Sequence, residues 1–164
     1  MTPPPGGTIG LVRSRPLAFF PILMLVLAAC APPPKPAEKA QADPTKEPSY
    51  GETVAQLASL DRDAESLLAA GKHDEAAAVI TKAQPLEGRL LAPSHPTLAA
   101  MEAAGDLDQL YGRMLMQDGR YGWARLEFQK NATRWKIWQP QTPDTARRLK
   151  EAQAAMAECD RHLQ

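Results

Sequence analysis

Helix breakers recur in this chain at nearly one spacing. Gly71 returns as Gly119, and Pro96 returns as Pro143 after almost the same interval. From residue 49 onward the apolar residues between these breaks keep a helical period. Val54, Leu57, Leu60, Ala64 and Leu67 stripe a first helix that Gly71 ends. "HDEAAAVITKAQ" begins a second, which Pro85 is expected to stop. A third opens at Pro96, turns Leu98, Met101, Leu107, Leu110 and Met114 inward, and closes at Gly119. Tyr121, Ala124, Phe128 and Trp135 stripe a fourth. Thr142-Pro143 starts a fifth with Leu149, Ala152, Met156, Cys159 and Leu163 on its inner face. Helical hairpins repeated in this way cannot each bury their own apolar face, so they stack on one another. The expected fold is therefore all-α: a short right-handed α-solenoid of about five helices, the last closing the stack. A plain five-helix bundle is the alternative. Composition agrees, since aromatics are only 5% of 164 residues and two cysteines give no disulfide framework.

The hairpin residues resemble tetratricopeptide repeats. That family places a small residue midway along the first helix of each pair, a glycine after it, and an alanine and a large apolar residue on the second. Gly112, Gly119, Tyr121, Ala124 and Phe128 fit this pattern, and Ala64, Gly71, Ala76, Ile80 and Ala83 take comparable places one period earlier. "LLAPSHPTLA" and "IWQPQTPDTA" resemble the inter-repeat linkers of the kinesin-light-chain-like variety, through His95-Pro96 and Thr142-Pro143. The departures are a long third helix, His73 where an aromatic belongs at the first hairpin, and only about two and a half copies. The resemblance implies a surface for peptides or proteins.

The amino terminus has the parts of an export signal. Arg13 and Arg15 precede the apolar run "PLAFFPILMLVLAA", and no acidic residue occurs before Glu38. The run is shorter than the roughly 20 apolar residues a membrane-spanning helix needs, and Pro21 interrupts it. Leu27-Ala28-Ala29-Cys30 resembles the lipobox of bacterial lipoproteins. That likeness implies cleavage before Cys30 and lipidation of its thiol, with two or more acyl chains giving stable attachment. An ordinary cleaved signal or an amino-terminal anchor helix is the alternative. Ala31 stands where an aspartate would imply inner-membrane retention, so outer-membrane placement facing the periplasm is expected. Residues 31 to 48, "APPPKPAEKAQADPTKEP", hold six prolines and six charged side chains without apolar periodicity. They read as an extended tether rather than as a ligand for a proline-recognising domain. The expected organisation is a signal peptide over 1–29, lipidated Cys30 and tether over 30–48, and a tetratricopeptide-like domain over 49–164.

Chemistry is sparse. His73, His95 and His162 fall in different elements. Cys159 and His162 have the spacing of ligands on one helical turn, but two ligands do not close a zinc site, and Cys159 fits the apolar stripe. No metal or cofactor is expected. No serine stands in a nucleophile elbow and no phosphate-cradling glycine loop occurs, so the chain is expected not to be an enzyme. Glu127, one turn from Trp123, is the best single candidate for a cell-wall hydrolase, although with Lys130 it reads as an ordinary surface pair.

Charge is distributed unevenly. Residues 49–112 carry 10 acidic and 4 basic side chains, whereas 113–150 carry 9 basic and 3 acidic. Basic groups among tryptophans elsewhere suggest nucleic acid. Behind a lipoprotein signal no nucleic acid is expected, and an envelope protein, a lipid headgroup or a wall polymer would meet the same field. The expected function is that of a membrane-anchored adaptor for protein–protein interaction in the bacterial envelope. Tyr111, Arg113, Arg120, Tyr121, Trp123, Arg125 and Trp138 are the candidate recognition residues. Cell-wall or lipid binding through the basic half is the second reading.

Overall fold

A computed structural model of the chain describes residues 42–164. Cys30, the lipobox-like stretch and residues 31–41 of the expected tether lie outside the described residues. Five helices follow in order: α1 (Pro48–Ala69), α2 (His73–Leu91), α3 (Leu98–Gln117), α4 (Tyr121–Ile137) and α5 (Pro143–His162). The fold is all-α and solenoid-like. α1 pairs with α2 and α3 with α4; α3 packs on both helices of the first pair, and α5 packs on α4.

The two hairpin turns are built alike, because each needs one residue in the left-handed region. Gly71 has φ +73° and Gly119 φ +71°. After α1, the Lys72 amide donates to Leu67 O (2.9 Å) and Gly71 to Leu68 O (3.0 Å). After α3, Arg120 donates to Leu115 O (2.8 Å) and Gly119 to Met116 O (3.0 Å). Both are Schellman caps, in which a glycine lets two final carbonyls keep partners. The helices that follow these turns start without a side-chain cap, at Lys72 and Arg120; elsewhere Thr97 caps α3 through the Ala100 amide, and Thr142 with Thr145 forms a capping box at α5.

The same register runs through the core. Ala64 and Gly112, Ala76 and Ala124, Ile80 and Phe128, and Leu67 and Leu115 are equivalent pairs, and all but Leu67 are buried. Gly112 shows why a small residue is required: a Cβ there would sit 2.5 Å from Cε1 of Phe128, a ring with no solvent exposure. One core runs from Tyr50 through Leu57, Ile80, Leu90, Leu107 and Leu110. A second joins Leu115, Ala124, Phe128 and Cys159, sealing that thiol between α4 and α5. Tyr111 touches both.

Several expectations are corrected. Pro85 does not stop α2, which continues to Leu91. Pro85 and Thr81, whose carbonyl loses its amide partner, are both exposed, so water can serve that carbonyl. The segment beyond is held by packing: Leu86 and Leu90 are buried, and Tyr50 Oη donates to Leu90 O at 2.8 Å. α3 begins after Thr97 rather than at Pro96. Leu98 and Leu163, assigned inward, are 40% and 54% exposed: Leu98 is the first residue of α3, and Leu163 lies just past the end of α5. Order also begins before residue 49. Asp43 accepts from the Thr45 amide and hydroxyl and caps a 3-10 turn over Pro44–Lys46, and α1 starts at Pro48.

Candidate functional site

The expected recognition residues do not form one surface. Arg113 pairs with Glu65 across α3 and α1 at 2.8 Å. Arg125 pairs with Asp160 at 2.5 Å, and the Tyr121 ring stacks on His162 with centroids 4.1 Å apart, so both serve the α4–α5 contact. Tyr111 is half-buried between the two cores. Arg120 is the exposed residue preceding α4. Only Trp123 and Trp138 face open concavities.

Trp123 stands in a groove of about 900 Å³ between α2 and α4. One wall is the far face of α4, where Trp123, Leu126 and Ile137 are 60%, 49% and 71% exposed. The other is the end of α2 and the loop that follows, with Leu91, Pro93 and Pro96; Met101 of α3 lies at the base. A smaller cleft of about 400 Å³ bearing Trp138 continues the trough past Ile137 and shares Ser94, Pro96 and Met101 with it. Trp123 and Trp138 thus mark its two ends. Leu126 and Ile137 were not singled out in the sequence, yet with Trp123 they make a second apolar stripe on α4, off the buried one.

The groove floor is charged. Arg134 reaches Glu87 at 3.0 Å through Nη2 and Asp108 at 2.7 Å through Nη1, while Lys130 reaches Asp108 at 2.9 Å and Glu127 at 2.8 Å. Asp108, Arg134 and Glu87 are buried. The cluster holds three carboxylates and two cations, so one negative charge is uncompensated. The consequence appears at Glu87, whose carboxyl is pushed up to about 7 by burial first and the neighbouring Asp108 second, against the pull of Lys130 and Arg134. Lys130 is held above its usual range: burial lowers it, but the Asp108 charge and hydrogen bonds to Glu127 and Asp108 outweigh that. Such a network is costly to break, because removing one partner strands the other without water.

Glu127 and Glu87 share the groove, but both are occupied by cations, an arrangement that orders a floor rather than freeing an acid and a base. Cys159 and His162 do not converge: the thiol is buried, and the imidazole lies against Tyr121 with Nε2 3.2 Å from Glu158. Among the described residues no group of three or more histidine, cysteine, aspartate or glutamate side chains is placed to hold a metal ion. No helix of the described residues is long and apolar enough to cross a membrane.

The basic half of the sequence is largely paired. Arg113, Arg125, Lys130, Arg134, Arg147 and Arg148 all have carboxylate partners, and Arg148 also lies 5.3 Å over the Trp135 ring. Glu65–Arg113 and Glu87–Arg134 join the acidic first hairpin to the basic second, and Asp106–Arg148 joins α3 to α5. Part of the uneven charge along the chain is thus matched internally: Glu65, Glu87, Asp106 and Asp108 of the acidic stretch meet Arg113, Arg134, Arg148 and Lys130 of the basic one. Fold and site together define a stack of helical hairpins with an apolar, charge-floored trough on one flank. No protein-family model, curated protein or solved structure matches this chain.

Proposed function

We propose that this protein is a lipid-anchored, non-enzymatic adaptor of the bacterial envelope, held on the periplasmic face of the outer membrane through Cys30, with the α2–α4 groove as the surface that grips a protein partner. The single observation behind the gripping role is the exposure of Trp123, Leu126 and Ile137 side by side along that groove. Exposed apolar residues grouped in a concavity, with a polar floor to orient what enters, are the usual anatomy of a docking site. Three further points support the reading: the tetratricopeptide-like hairpin residues, the lipobox-like Leu27-Ala28-Ala29-Cys30, and a basic half in which six of the nine cations have carboxylate partners within the protein. Anchoring restricts adaptor and partner to one surface, so modest contact area suffices.

A photo-crosslinking amino acid at position 126, activated in intact cells, should yield one dominant protein adduct. A Trp123→Ala change in the same chain should remove it while leaving the melting curve intact. Adducts found only with peptidoglycan or lipid would replace this reading with direct wall or membrane binding. The anchor is tested separately: Cys30→Ser should abolish incorporation of labelled palmitate, and continued labelling would refute it.

A further inference from the structure

We infer that the occupant of the α2–α4 groove is an amphipathic α-helix of a partner protein, about four turns long, with apolar side chains at alternating intervals of about three and four residues and a lysine or arginine at its middle. The inference rests on the groove being a docking surface, and adds what that surface selects.

The spacing of the wall points to a helix. Trp123, Leu126, Lys130, Thr133 and Ile137 of α4 are all exposed, all line the groove, and follow one another at intervals of three, four, three and four residues. That alternation is the a/d pattern of a helix that packs on another at a shallow angle, knobs into holes. It lies beside the stripe through Ala124, Phe128 and Trp135, which is already buried, so α4 has one seam filled and a second open. From Trp123 to Ile137 the open seam runs about 21 Å, the length of about four turns of an incoming helix. Backbone chemistry favours the same shape. Along α4 the amides and carbonyls are paired within the helix, so an extended segment laid against it would lose water from its own backbone and gain no partners; a helix arrives with those groups already paired.

Charge selects among helices. Glu87, Asp108 and Glu127 face Lys130 and Arg134, three carboxylates against two cations. Lys130 is also the central residue of the seam, so the surplus lies under the middle of whatever docks. A lysine or arginine at that point lays its stem along the apolar wall and brings its head to Glu127, the most exposed of the three carboxylates. Burial first, and Asp108 second, push the Glu87 carboxyl up to about 7, so near neutrality in the open groove a proton partly supplies what that cation would. A second copy of this chain is the wrong occupant. Paired about its centre in either direction, the seam sets Lys130 against Lys130 and joins two floors with the same surplus.

The probe is a phage-displayed library of such helices, randomised along one face and panned on the purified full chain. Binders are expected to carry apolar residues at the three-four spacing on both sides of a central lysine or arginine, with the cation several-fold more frequent there than aspartate or glutamate. Trp123→Ala should abolish the enrichment. Glu127→Gln makes the floor neutral, so binders panned on it should keep the apolar pattern and lose the excess of cations. Basic and acidic residues at equal frequency on the unaltered chain, or a preference unchanged by Glu127→Gln, would overturn the charge selection; binders without the spacing would overturn the helix. In intact cells the photo-crosslinking amino acid at 126 and at 137 reads the shape of the natural partner. The two positions lie about 16 Å apart along α4, so their adducts should fall about 11 residues apart in a helical partner and about 5 apart in an extended one. The shorter interval would overturn the inference and leave the docking groove standing. Hybrid adducts between isotopically light and heavy copies of this chain would overturn it in favour of self-association. With no adduct from either position, the docking reading itself fails.

Discussion

Glu87 shows how one side chain ties stability to pH. Its folded carboxyl titrates near 7 against an ordinary 4.5, so between those values the folded chain holds a proton that the unfolded chain has released. Its contribution is full below about 4.5 and is lost as pH rises through about 7. Asp61, pushed up to about 6 by burial and then by the charges of Asp106 and Glu65, acts in the same sense over a lower window. Glu87→Gln keeps an oxygen that accepts from Arg134 and removes the unmatched charge. The variant should melt above the wild type at about pH 8 and match it near pH 5. Parallel melting curves across that range would show that Glu87 is not the group responsible.

At the scale of elements, the hairpin is a backbone device, and two glycines carry it. Gly112→Ala drives a methyl into the fully buried Phe128 ring. Overpacking of that kind should cost about 1–3 kcal/mol. Gly88 of α2 has open space around it. Gly88→Ala should therefore be neutral or stabilising by about 0.5–1 kcal/mol, as in any helix interior. Gly119 holds a left-handed backbone at its turn. Gly119→Val forces a branched residue into that region and should destabilise by about 1–2 kcal/mol or more. Chemical denaturation of the three variants checks the order. The breakers were legible because glycine and proline act locally, through their own backbones. Pro85 was misread because its effect depends on what the next turn packs against, and Leu86 and Leu90 pack well. The groove was half legible. Trp123 stood out as a large aromatic, whereas Leu126 and Ile137 are ordinary letters until the buried stripe of α4 is known and they are seen to lie off it. Asp108 and Asn131 could have been found by aligning the two copies on Gly71 and Gly119, since they occupy the places of Leu60 and Ala83. Their pairing with Arg134 and Gly105 is a matter of three dimensions.

For the whole molecule, four carboxylates of the acidic half, Glu65, Glu87, Asp106 and Asp108, meet cations of the basic half, which spacing cannot reveal because it does not say which carboxylate meets which cation. The exposed links, such as Glu65–Arg113, contribute little individually. The apolar junctions hold the stack, and α5 closes the last of them over Phe128 and Ala124. Ending the chain after Trp138 should therefore replace the cooperative melt of the full domain with a broad, lower transition, visible by circular dichroism; an unchanged melt would mean that the first four helices are self-sufficient. Cys159 turns this closure into something measurable. Its thiol has no solvent exposure, and burial, with the Asp160 charge behind it, raises its proton affinity. An alkylating reagent can capture it only in the moments when α5 lifts, so the rate at which the mass of the domain increases is a native clock for the breathing of its last helix, with no engineered label.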